Sequence, residues 1–220
     1  MDKAGVDFSG LDGVAATAGP GLIGGVLVGL VMGKAIAAAG GLPLIAVNHL
    51  EGHVLSARLS DNIAFPYLLL LVTGGHCQLV EVAALGHYRV MGTTIDDAVG
   101  EAFDKVARLA GLGYPGGPEI ERAARNGNDT RFSLPRPLKG RDGFDFSFSG
   151  LKTAVRRIVE ELTSTGETMS SRDINDIAAS FQTAVAEILV DRTSRAMLAF
   201  ADQHPGAAQL VVAGGVAANH

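Results

Sequence analysis

Apolar positions along this chain fall in short runs closed by glycine-rich turns, alternating with longer stretches of helical character. Val14 to Ala18 reads as a first strand, ended by Gly19-Pro20-Gly21, because turn formers bounding a short apolar run favour extended backbone. The apolar run from Leu22 to Ala39 is broken by Lys34 and laced with Gly24, Gly25, Gly29 and Gly33. A membrane span needs roughly 20 apolar residues without a central charge, so the pattern predicts a buried helix of a soluble domain. Leu44 to Val47 is a second strand, leading straight into Asn48-His49-Leu50-Glu51-Gly52-His53. Pro66 to Val72 is a third, ending at Thr73-Gly74-Gly75-His76, and Cys77 to Val82 pairs antiparallel with His87 to Gly92 around Gly86. Val99 to Leu109 then reads as a helix, with Asp96 and Asp97 as its caps. Gly111 to Pro118 is a glycine–proline loop, and Asn126 to Ser149 an irregular insertion. Leu151 to Leu162 and Asp173 to Ala201 are helices; Leu210 to Ala213 is a last strand ended by Gly214-Gly215. Strands alternating with helices predict the α/β class.

The 220 residues are 47% hydrophobic and only 19% charged, which fits a packed globular chain rather than a disordered one. A net charge of −5 gives no overall attraction to nucleic acid, so any RNA contact has to be a local basic patch. The lone Cys77 excludes an intrachain disulfide framework. Met1-Asp2-Lys3-Ala4-Gly5 lacks the basic-then-apolar order of a signal peptide. Both features predict a cytoplasmic protein.

Two features carry candidate chemistry. His49 and His53, four residues apart, can share one helix face and grip a single metal ion. Glu51 between them lies about 200° around a helix from His49, so it cannot serve a metal-bound water as the glutamate of H-E-x-x-H does. That geometry disfavours a metallopeptidase. Three glycine turns, Thr17 to Gly21, Val72 to His76 and Ala213 to Val216, each follow a strand. Backbone N–H groups there can approach a phosphate, and three such turns in an α/β pattern predict a nucleotide cleft. Asp104 could equally pair with Arg108 one helical turn on. Cys77 reads as a small core residue.

Those stretches, taken in order, resemble the TsaD family, also called YgjD, Gcp or Kae-type. They are Thr17 to Gly21 (TAGPG), His49 to His53 (HLEGH), Leu71 to His76 (LVTGGH), Asp96 to Lys105 (DDAVGEAFDK), Tyr114 to Pro118 (YPGGP), Asp145 to Thr153 (DFSFSGLKT) and Ala213 to Asn219 (AGGVAAN). The resemblance implies an actin-like ATPase (ASKHA) fold of two related α/β subdomains. Residues 1–65 would be a remnant of the first, carrying the His pair; residues 66–220 would be the second, with a helical and irregular insertion around 95–175. It also implies transfer of an L-threonylcarbamoyl group from threonylcarbamoyl-AMP to N6 of adenosine at position 37 of tRNAs reading ANN codons.

By the same resemblance, His49 and His53 are metal ligands, of iron (Fe2+) or alternatively zinc (Zn2+), the ion acting as a Lewis acid. Leu71, Val72, Thr73, Gly74 and Gly75 line the adenylate, with Asp104, Gly117 and Asn219 also on the substrate and Glu121 near the ribose. The implied partners are tRNA, an inactive TsaB-like paralogue and a small TsaE-like P-loop ATPase. Family members begin with a strand and phosphate loop that have no counterpart before Val14. They also continue past the AGGVAAN stretch to an aspartate that completes the metal site, so the resemblance implies an internal piece inactive alone. Arg131, Arg136, Lys139 and Arg141, with Lys152, Arg156 and Arg157 nearby, form a basic cluster expected to hold tRNA. Two alternative readings are an ATPase or sugar-kinase-like member of the fold and a non-catalytic scaffold.

Overall fold

The computed structural model describes residues 5–21, 23–164 and 166–219. Met1 to Ala4, which carry most of the signal-peptide reading, and Leu22, the expected first residue of the long apolar helix, lie outside them. The chain divides into two compact units, Met1–Ile63 and Ala64–His220.

In the first unit, β1 (Val14–Gly19) and β2 (Leu44–Asn48) pair in parallel, Val14 opposite Leu44 and Thr17 opposite Val47. Parallel neighbours need a crossover, which α1 (Ile23–Gly40) supplies. The helix approaches closely at Gly33, where an added Cβ would lie 2.9 Å from the Ala16 Cβ. The expectation of a buried helix is overturned: only Gly33 and Ala37 are buried, while Ile23, Leu27, Val28, Val31 and Met32 are exposed. A helix apolar on every side needs cover all round, and α1 packs on the two-stranded sheet along one stripe. By length and composition alone α1 could also cross a membrane. α2 (His49–Ser60) follows β2 without a linker because Asn48 caps it, its side-chain oxygen accepting from the N–H groups of Leu50 and Glu51 at 2.9 and 3.2 Å.

The second unit is built on a four-stranded sheet in the order His87–Thr93 (β5), Cys77–Ala84 (β4), Tyr67–Val72 (β3), Leu210–Ala213 (β6). β3 (Tyr67–Val72) is buried at every position, as a continuous apolar run on a covered strand should be. It pairs antiparallel with β4 (Cys77–Ala84) and parallel with β6 (Leu210–Ala213), and β4 turns through Gly86 into β5 (His87–Thr93). Four helices follow β5 in sequence: α3 (Val99–Leu109), α4 (Gly116–Ala124), α5 (Ser149–Leu162) and the 33-residue α6 (Ser171–Gln203). Their apolar faces close one core, in which Phe103 meets Phe181 edge to face at 5.0 Å beside Val106, Ile120, Leu151 and Ile188. Burying each such side chain is worth roughly 1.5–3 kcal/mol. Cys77 is fully buried, and desolvation pushes its thiol far above the ordinary range.

Three local expectations change. The glycine–proline loop ends sooner than its composition suggests, since α4 starts at Gly116. The cap of α3 is Ala98, without a side-chain hydrogen bond. Asp96 instead caps α5, accepting from the Ser147 hydroxyl, the Phe148 and Ser149 N–H groups and the Ser149 hydroxyl at 2.6 to 3.2 Å. Burial pushes the Asp96 carboxyl up, and these donors outweigh it to hold the group below its usual value. Asp97 pairs with Lys105 and Lys152.

The basic cluster likewise serves the fold. Arg131 bridges Asp173 and Asp176, Arg136 and Lys139 share Glu187, and Arg156 pairs with Glu160. The Asp173 carboxyl is lowered to about 2, first by the Ser170 hydroxyl and then by Arg131. Arg131, Arg136 and Lys139 tie the irregular segment to α6, while the Arg156 pair lies within α5, so at the first three an RNA backbone would have to compete with carboxylates already in place. Arg141, Arg156 and Arg157 of the expected cluster stay exposed, so a tRNA contact there is left as a proposal.

Candidate functional site

In α/β sheets ligands bind beyond the carboxyl ends of the strands, and the parallel strands β3 and β6 both end at one cavity of about 330 Å³. β3 runs into a turn set by Thr73, whose hydroxyl accepts from the Gly75 and His76 N–H groups at 3.3 and 2.9 Å. β6 runs into Gly214, with φ +110°, and then a 3-10 turn over Gly215–Ala218. Only glycine fits at 214, because an added Cβ would stand 2.2 Å from the Val72 carbonyl oxygen.

The opposite wall comes from α3 and α4. Asp104 on α3 accepts from the Gly116 N–H at 2.7 Å, fastening the start of α4. This replaces the possible Asp104–Arg108 pair. The backbones approach so closely here that a Cβ on Gly116 would lie 2.6 Å from the Asp104 Cα. One turn into α4, Glu121 takes Arg125 at 2.9 Å and the Asn219 amide at 3.4 Å, linking α4 to the segment after β6.

Of the residues singled out in the sequence, Gly74, Asp104, Gly117, Glu121 and Asn219 line this cavity together. Leu71 and Val72 are buried strand residues, Thr73 holds the turn, and Gly75 lies exposed on it. His76 is half-buried with its Nδ1 3.5 Å from the Thr73 hydroxyl. Gly100, Phe103, Tyr114, Pro115, Pro118, Gly215, Val216 and Ala218 complete the lining. They were visible only as members of quoted motifs; an aromatic beside a glycine–proline turn was the signal available for Tyr114. The result is a mostly apolar cavity with two carboxylates and an amide at one part and glycine turns at another. Such an arrangement suits a ligand with a flat apolar group, hydroxyls and an anion.

The histidine pair lies in the first unit. His49 and His53 stand side by side on α2, ring centroids 4.6 Å apart and ring planes at 72°. Their placement fits two nitrogen donors to one ion. Among the described residues no group of three or more His, Cys, Asp or Glu side chains is arranged to hold a metal.

The fold and cavity define an α/β protein with a candidate ligand site at the carboxyl ends of parallel strands. The family model described as TsaD, tRNA N6-adenosine threonylcarbamoyltransferase, matches residues 1–220. Curated relatives bearing that description include one from Paramagnetospirillum magneticum, 59% identical across all of this chain and 62% of its own length. Another, from Rhizobium johnstonii, is 57% identical across all of this chain and 60% of its own length. The chain therefore spans about three fifths of the curated relatives it matches. Among solved structures, component A of the Acidaminococcus fermentans (R)-2-hydroxyglutaryl-CoA dehydratase aligns over 93% of this chain and 73% of its own, with 15% identity and a TM-score of 0.45. The chain belongs to the TsaD family.

Proposed function

We propose that this protein transfers an L-threonylcarbamoyl group from threonylcarbamoyl-AMP to N6 of adenosine at position 37 of tRNAs reading ANN codons, on an actin-like ATPase fold. The observation that carries the reading is the convergence of Gly74, Asp104, Gly117, Glu121 and Asn219 on one cavity in a chain of this family. In the transfer, the N6 nitrogen bonds to the carbamoyl carbon and gives up a proton. The carbon–oxygen bond to the phosphate breaks, and its electron pair leaves with AMP. Backbone N–H groups at the Gly74 and Gly215 turns suit the phosphate, whose negative charge grows as it leaves. The Asp104 oxygen not bonded to Gly116 is available to a ribose hydroxyl, and Glu121 and Asn219 supply further polar contacts. Held this way, the adenylate loses little entropy on reaching the reacting geometry.

The proposal includes a divalent ion on His49 and His53, iron or alternatively zinc, with its remaining ligands coming from beyond this pair. When bound, such an ion supplies a Lewis acid to a carbonyl oxygen. Replacing both histidines with alanine should remove the bound iron or zinc measured by elemental analysis. Unchanged metal content in the double variant would refute the assignment. The partners proposed are tRNA, a TsaB-like paralogue and a TsaE-like ATPase, in the cytoplasm.

Titration calorimetry with AMP tests the site. Asp104→Asn keeps an oxygen for the Gly116 N–H and removes the charge, so affinity should fall about tenfold, the worth of a hydrogen bond to a charged group. No AMP binding by the unaltered chain would overturn the reading. ATP hydrolysis without modified tRNA nucleosides would assign the cavity to an ATPase instead.

A further inference from the structure

Tyr114 is 82% exposed, yet it lines the cavity. An exposed aromatic at a ligand cavity is unusual enough to ask what covers it, because large apolar side chains lower the free energy when water leaves them. Nothing within the described chain does so: its hydroxyl has no hydrogen-bond partner, and its ring meets no other aromatic or cationic group. The other two tyrosines differ, Tyr67 being fully buried and Tyr88 half-buried. The loop that presents Tyr114 is fixed at its far end, since Gly116 is held by Asp104 and wedged against α3. The ring therefore stands two residues from a closely packed helix start.

The cavity's polar groups are unevenly shared. Asp104, Glu121 and Asn219 can take hydroxyls or amines, and the turns at Gly74 and Gly215 can take an anion. Tyr114, with Pro115, Pro118, Val216 and Ala218, gives a wall with almost no side-chain hydrogen-bonding capacity beyond one phenol. A flat, weakly hydrated group is what such a wall accepts.

We infer that Tyr114 is the base-stacking residue of this cavity, covering one face of the nucleotide's purine ring. This rests on the nucleotide reading above. Stacking gains from ring area and ignores the edge groups of the base. Tyr114 thus sets a preference for purine over pyrimidine nucleotides and leaves the choice between adenine and guanine to polar contacts.

The test compares AMP, GMP, CMP and ribose 5-phosphate as ligands of the full chain and of Tyr114→Phe and Tyr114→Ala. The unaltered chain should bind AMP about tenfold more tightly than ribose 5-phosphate, with CMP between them. Tyr114→Phe should keep that margin. Tyr114→Ala should lose it while binding ribose 5-phosphate as before, a separation that a merely structural tyrosine would not give. The chain has no tryptophan, so tyrosine emission is readable directly, and AMP should quench it in the unaltered chain more than in Tyr114→Ala. Undiminished AMP binding by Tyr114→Ala overturns the inference, as does an equal loss for AMP and ribose 5-phosphate. If the unaltered chain binds none of the four ligands, the nucleotide reading itself falls, and this inference with it.

Discussion

Replacing Arg192 with alanine is expected to destabilise the second unit by about 3–5 kcal/mol, the usual result of breaking a buried ion pair. Arg192 has no exposed surface, although it lies midway along α6. Its guanidinium binds the Asp191 carboxylate at 2.9 Å through Nε and donates to the carbonyls of Arg141 and Gly143 at 2.8 and 3.2 Å. Those carbonyls belong to the irregular segment, which has little regular structure of its own to satisfy them. Deleting the side chain orphans them, at about 1–3 kcal/mol for each left buried, and leaves a cavity besides. Arg192→Met refills the space without restoring the donors, so it should recover only part of the loss. Urea titration of the two variants checks both statements. An alanine variant within 1 kcal/mol of the parent would mean that the segment finds other partners for its carbonyls, against the usual cost of leaving them buried.

Gly116→Ala and Gly117→Ala, the same change at adjacent positions, should have opposite signs. At 116 the new methyl meets the Asp104 Cα at 2.6 Å, the Phe103 carbonyl oxygen at 2.8 Å and the Ala107 Cβ at 2.9 Å. Two of these are backbone atoms inside α3 and cannot step aside. The start of α4 must move, costing about 1–3 kcal/mol as overpacking does, and it takes the Asp104–Gly116 hydrogen bond with it. Because Asp104, Glu121 and Tyr114 then lose their common frame, AMP affinity should fall at least tenfold. At 117 nothing lies within 4 Å of the added Cβ, and alanine should stabilise the helix by about 0.4–1 kcal/mol. Denaturation midpoints of the two variants and AMP titration of the first decide the matter. Equal stability of both would contradict the close packing of α3 on α4.

The sequence located most of the elements because local pattern controls them. The parallel strands, the hairpin about Gly86 and the long apolar helix all came from runs, turns and period. It failed where a residue's partner is distant in the chain. Asp96 stands next to α3 in sequence, as a cap should, but its hydrogen bonds go to Ser147, Phe148 and Ser149. Arg131, Arg136 and Lys139 look like a free basic patch until α6 places Asp173, Asp176 and Glu187 beside them. The apolar run of α1 predicts burial, and the described structure covers only one stripe of it.

For the site, the residues at 74, 104, 117, 121 and 219 were legible through the resemblance of their motifs to the family's, and residue type by itself suggested only the phosphate turns. The His49–His53 pair was legible too, since i,i+4 spacing on a helix is a local fact. What only the tertiary structure decided is that two strand ends and two helices bring the five residues to a single cavity, with the exposed ring of Tyr114 on its wall. Spacing along a chain fixes what lies within one helical turn or one strand. It says nothing of which turns meet, because that depends on how buried faces pack, and packing is settled by the whole core at once.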